Sequence, residues 1–180
     1  MADKVANDYG AVAMALHWLG ALCLVLAWLL GTFIDDLPKT AEPKVIFVHM
    51  SLGLTVLALF VLRLGRRLAR PVPMLATRLG PWADFLAVVM QWLLLALMIA
   101  VPISGIVLEF SRGQPLPLFG LTEIASPWTR DRALARSVKD VHETVANALL
   151  LLATLHAAAA LFHHFMLKDR VLVRMLPGRR

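Results

Sequence analysis

Uncharged, mostly apolar runs alternate with short polar breaks along the whole chain. The runs cover residues 11–34, 45–62, 85–108 and 144–167, with 24, 18, 24 and 24 residues. A helix needs about 20 apolar residues to cross the hydrocarbon core. The pattern therefore predicts four transmembrane helices, near residues 11–34, 45–64, 82–108 and 140–167. The second run is short, but helix ends extend beyond the core. Successive spans joined by loops give an all-α, integral membrane, four-helix up-and-down bundle, with residues 1–180 forming a single membrane domain.

Composition agrees with that pattern. Hydrophobic residues make up 59%, charged residues 17%, and the mean hydropathy is +0.73, all outside the range of soluble domains. The first run exceeds a signal-peptide core and lacks a basic leader and a small-residue cleavage site, so it is expected to be retained. Cys23, the single cysteine, lies inside that run and has no internal disulfide partner. The net charge of +6 belongs to the loops, where it reports topology rather than nucleic-acid binding. Of 18 Lys and Arg, eleven fall on one side: Lys4, Arg63, Arg66, Arg67, Arg70, Arg78, Lys168, Arg170, Arg174, Arg179 and Arg180. The other seven are Lys39, Lys44, Arg112, Arg130, Arg132, Arg136 and Lys139. Positive residues stay inside, which places both termini in the cytoplasm.

The connections carry their own signals. Residues 1–10 form a short polar lead, and residues 35–44 an acidic, Pro-containing turn. Pro71 and Pro73 break any helix after the arginine cluster. Residues 110–138 are expected to form the longest loop and to cap the outer face.

All six histidines fall in or beside the first, second and fourth spans. An ionisable residue within a span is costly without a partner and marks a functional site. His142 and His156 stand 14 residues apart, which is about 21 Å along a helix and within about 40° of the same face. His49 and His142 lie near the outer face. His17 is about 9 Å from the inner end of its run, and His156 about 16 Å from the inner end of its own, at the usual helical rise. These depths pair His49 with His142 and His17 with His156. Each pair suits the two axial positions of one haem iron, giving six-coordinate low-spin haem made for electron transfer. No Cys-x-x-Cys-His is present, so the haem is not covalently attached. The alternative is that these histidines hydrogen-bond across helices. His163 and His164, near the inner end, fit an interfacial role, with quinone or proton handling as the alternative.

Neighbouring residues add detail. Gly20 follows His17 by one turn, Gly53 follows His49, and alanines fill residues 157–160, leaving room for a flat porphyrin or for close helix packing. Trp18, Trp82 and Trp128 fit interfacial belts, and Trp28 and Trp92 fit lipid or bundle packing. Arg63, Arg66 and Arg67 fit anchoring at the inner interface, with haem propionate pairing as the alternative. Zinc, which takes tetrahedral ligands at one point, does not fit histidines at two depths. No nucleotide-binding loop, nucleophile motif or paired-carboxylate site is present.

The motifs resemble those of the bacterial cytochrome b561 family, four-helix di-haem membrane cytochromes. They are ALHWL in the first span, HMSLG then RLGRR in the second, VPISGIVL in the third, and HETVAN with LHAAAALFHH in the fourth. The resemblance implies two non-covalent haems b held by His17, His49, His142 and His156 in a bacterial inner membrane. It further implies electron exchange with ubiquinone, and superoxide oxidation as the candidate reaction. Arg112, Arg130, Arg132, Arg136 and Lys139 would steer an anion, but Glu123, Asp131, Asp140 and Glu143 offset much of their charge. The competing expectation is a haem-bearing membrane subunit that takes electrons from a partner dehydrogenase or hydrogenase.

Overall fold

The computed structural model describes residues 10–69 and 79–176. Four helices carry the fold: α1 (Ala11–Phe33), α2 (Glu42–Ala69), α3 (Pro81–Ser111) and α4 (Arg132–Phe162). All four are long and apolar enough to cross a membrane. The polar lead up to residue 9, the break at Pro71 and Pro73, and Lys4, Arg70, Arg78, Arg179 and Arg180 lie outside the described residues.

Local chemistry sets the helix ends. α1 runs into a 3-10 turn, Ile34–Asp36, with no basic residue in its last turn. α3 starts after Gly80, whose φ of 89° suits glycine, and Pro81 takes the first position, where a missing N–H leaves nothing unsatisfied. α4 begins at Arg132, about three turns before the apolar run that foretold it. There Asp131 accepts hydrogen bonds from the backbone N–H of Ala133 at 2.9 Å and Leu134 at 3.0 Å, the geometry of an N-cap. At the other end α4 relaxes into a π turn, His163–Leu167, and stops at Lys168 in the left-handed conformation.

The connection from α3 to α4 is a built cap rather than an open loop. A two-stranded antiparallel hairpin, β1 (Leu116–Leu118) with β2 (Thr122–Ile124), sits over the bundle and buries Leu116. Ser111, fully buried, accepts at its carbonyl from the Asp131 N–H at 2.9 Å. Ser126 donates to the carbonyl of Phe110, and the Trp128 ring meets Phe110 edge-on at 6.2 Å.

α1 lies along α2 and α3 along α4, with α2 touching α3; α1 and α4 meet only lightly. The buried core is small: Cys23, Val56, Phe60, Leu95, Leu108 and Leu149 line it within the helices. Large apolar side chains such as Leu22, Leu26, Trp92, Leu151 and Phe162 face outward. Such a surface is stable against hydrocarbon and not against water, so the bundle's solvent is the lipid bilayer.

Candidate functional site

The site at the hairpin end of the bundle, the end expected to be outer, draws on all four helices. His49 on α2 and His142 on α4 face each other, with ring centroids 6.1 Å apart and planes at 79°. The His49 Nδ1–H donates to the Ala27 carbonyl of α1 at 2.8 Å. The His142 Nδ1–H donates to the Val101 carbonyl of α3 at 3.1 Å and lies 2.9 Å from Ser104 Oγ, which itself donates to Val101. A carbonyl oxygen only accepts, so Nδ1 carries the proton on both rings and Nε2 keeps its lone pair. A hydrogen bond from Nδ1 to a carbonyl holds an imidazole in the orientation in which Nε2 can take a metal. Two imidazole nitrogens at about 2 Å from one metal put their ring centroids about 6 Å apart, so the outer pair fits a shared iron.

Two glycines make this approach possible. A Cβ on Gly31 would lie 2.9 Å from His49 Cε1, and one on Gly105 3.2 Å from His142 Cε1. Neither position was singled out for this purpose in the sequence. Gly20 and Gly53, which were, meet nothing within 4 Å of an added Cβ although Gly20 is buried. The space beside them is open to a flat group.

The inner site is built differently. His17 on α1 lies near enough to His156 on α4 for their charges to interact, and Arg63 of α2 acts on both. The His17 Nδ1 is buried without a hydrogen-bond partner among the described residues. Trp18 stands edge-on to His17 at 5.3 Å and donates its indole N–H to the Met175 carbonyl at 2.7 Å. That bond draws the C-terminal 3-10 turn, Val173–Met175, onto α1. Among the described residues no three His, Cys, Asp or Glu side chains gather around one point. The facing imidazoles are those of His49 and His142.

Further contacts had no forecast. Trp28 donates to Asn147 Oδ1 at 2.9 Å, joining α1 to α4 where a packing role was expected. His163 lies on the His156 face, seven residues on, and its Nδ1 meets Asp169 Oδ2 at 2.5 Å. Asp169 also returns its N–H to the His163 carbonyl, so this pair closes the π turn. His164 stands against Phe165 at 4.9 Å. At the outer end Lys139 is held by Asp35 at 3.0 Å and Glu143 at 3.5 Å, and Arg112 by Glu109 at 3.7 Å.

The chain is similar to known proteins over nearly its whole length. Residues 8–178 match the family profile of prokaryotic cytochrome b561. The chain is 33% identical to the probable superoxide oxidase CybB of Yersinia pestis, covering 97% of this chain and 98% of that one. It is 31% identical to cytochrome b562 of Cereibacter sphaeroides, over 95% and 96% of the two chains. To cytochrome b561 homolog 1 of Escherichia coli it is 28% identical, over 97% and 99%.

Proposed function

The chain belongs to the prokaryotic cytochrome b561 family, and from that premise we propose that it carries two haems b and passes electrons across the bacterial inner membrane to ubiquinone. Membership implies b-type haem and electron transport in a multi-pass membrane protein. The finer reading assigns one haem to His49 and His142 and the other to His17 and His156. A haem, when bound, supplies a reversible one-electron iron couple, and two imidazole ligands favour electron transfer over oxygen binding. The observation that carries the reading is the outer pair: two facing imidazoles, each with its Nδ1 proton committed to a backbone carbonyl.

The source of electrons is superoxide, by likeness to the relative from Yersinia pestis. Two superoxide anions give up one electron each and leave as dioxygen; ubiquinone takes both electrons and two protons to become ubiquinol. Both termini face the cytoplasm, and the hairpin cap faces out. The protein's own work is to hold the Nε2 lone pairs in place and to keep water from the bundle interior.

A second reading has one observation in its favour. Lys139 and Arg112, which would attract superoxide, are already paired with acidic side chains. That arrangement suits a cytochrome fed by a partner dehydrogenase or hydrogenase. A pyridine haemochrome assay on protein in mild detergent, followed by exposure to superoxide, separates the readings. Two haems per chain, reduced by superoxide and reoxidised by a ubiquinone analogue, are expected. Two haems that ignore superoxide favour the partner-fed cytochrome, and no haem overturns both. His142→Ala and His156→Ala are each expected to remove mainly one haem; loss of both from either folded variant would break the two-site assignment.

A further inference from the structure

The arginines at the inner end of α2 do not act as one group. Arg67 turns toward α3, donating to Gln91 Oε1 at 3.1 Å and lying over the Trp92 ring at 5.6 Å. Arg66 turns the other way, toward the start of α1. Arg63 follows His49 by 14 residues, the interval that separates His142 from His156. Fourteen residues are about four turns, so α2 presents His49 at the outer depth and a guanidinium on nearly the same face at the inner depth. At that depth α1 and α4 supply His17 and His156.

Arg66 lies one turn further on. Its Nε is buried without a hydrogen-bond partner among the described residues. Its Nη2 lies 3.8 Å from where a Cβ on Gly10 would stand, which puts the guanidinium beside the start of α1, two turns before His17. A buried guanidinium donor is expensive unless an anion answers it, and its planar fork matches a carboxylate. With Arg63 one turn before Arg66 on α2, the foot of the His17–His156 pair carries two guanidinium forks, which match an anionic edge with two carboxylates. A haem b has that edge, in its two propionates.

We propose that Arg63 and Arg66 bind the propionates of the haem held by His17 and His156, fixing its orientation and raising its reduction potential. The inference rests on the function proposed above. A cation beside the macrocycle favours the ferrous state, because reduction adds one electron and removes one positive charge from the iron. Charge-assisted, bidentate bonds to the propionates also slow haem loss. Arg67, by contrast, belongs to the helix interface.

The test is redox titration of the haem absorption bands in the full-length protein and in Arg63→Gln, Arg66→Gln and double variants. Each is measured in lipid-depleted detergent and in nanodiscs of zwitterionic or anionic lipid. The unaltered protein is read first: if it binds no haem, the parent reading falls and this one with it. If it binds two, the double variant is expected to lower one midpoint potential and leave the other in place. The same haem should pass to apomyoglobin about tenfold faster, the loss expected for a charge-assisted hydrogen bond. Arg63→Lys should recover the midpoint and not the retention, since it restores charge without the fork. Arg66→Gln alone, at the half-buried end of α2, serves if the double variant does not fold. Unchanged midpoints in all media would overturn the proposal. So would a shift seen only in anionic lipid, which would mean that the arginines hold a lipid phosphate.

Discussion

A single methyl group at residue 31 measures how firmly His49 is held. The ring is tied by its Nδ1–H to Ala27, so it cannot swing away from a Cβ placed 2.9 Å from Cε1. Gly31→Ala should therefore shift the imidazole, costing about 1–3 kcal/mol as an overpacked contact. The haemochrome assay should show one haem weakened or lost and the other intact. Gly105→Ala, with 3.2 Å to His142 Cε1, should act on the same haem and less severely. Equal loss of both haems from either variant would mean that the outer pair does not carry a haem of its own. The histidines themselves were legible because an ionisable ring in an apolar run has few reasons to be there. Their partners were not. Ala27 and Val101 contribute backbone carbonyls, which every residue owns, and Gly31 acts on a helix other than its own. Gly20 and Gly53 drew attention because they follow histidines by one turn, which is a local signal. The glycines that meet the rings sit opposite them across a helix interface, a relation that spacing along one chain does not encode.

At the scale of the element, α4 shows where periodicity stops being informative. Its apolar run begins at residue 144, yet the helix begins at Arg132. The first turns carry Arg132, Arg136, Lys139, Asp140 and Glu143 and rise above the hydrocarbon, so they read as loop by hydropathy. The start signal was present all the same, in an Asp followed by residues of high helix propensity. Asp131→Ala should remove the cap and destabilise this end by about 1 kcal/mol. Hydrogen exchange should then speed up across residues 132–138 while haem content holds. Unchanged exchange there would show that the hairpin, through the Ser111–Asp131 backbone bond, holds the helix start by itself. The seam between α1 and α4 is a second case. These helices touch lightly, and Trp28–Asn147 is a side-chain hydrogen bond across the gap. A Trp reads as packing in a sequence because its single N–H shows no partner. A double-mutant cycle with Trp28→Phe and Asn147→Ala should give a coupling of about 0.6 kcal/mol, typical of interhelical bonds in membranes. A coupling near zero would leave the seam to the groups between the helices.

The whole molecule inverts a soluble protein: few side chains are buried, and large apolar ones cover its outside. That inversion was legible from four uncharged runs, whereas the fold of the hairpin cap was not, since its strands are three residues each. Which way the bundle faces depends on a modest excess of positive charge: eleven Lys and Arg on the side of the termini against seven on the side of the hairpin. Lys139 and Arg112 among the seven are paired with acids, but acidic residues contribute little to orientation, so pairing does not alter the count. The balance therefore favours cytoplasmic termini, with the His49–His142 pair toward the periplasm. One native cysteine, buried in α1, makes the prediction easy to check. In a Cys23→Ala background, Glu123→Cys places a thiol on the exposed strand β2, and Lys168→Cys places one just past the π turn. A membrane-impermeant maleimide added to cells with a permeable outer membrane should label residue 123 at once. Residue 168 should react only after the inner membrane is opened. The reverse pattern would turn the bundle over and put the His17–His156 pair, with Arg63 and Arg66, on the periplasmic side. Electrons from superoxide would then enter beside the arginines, and those two cations would become the natural attractors for the anion.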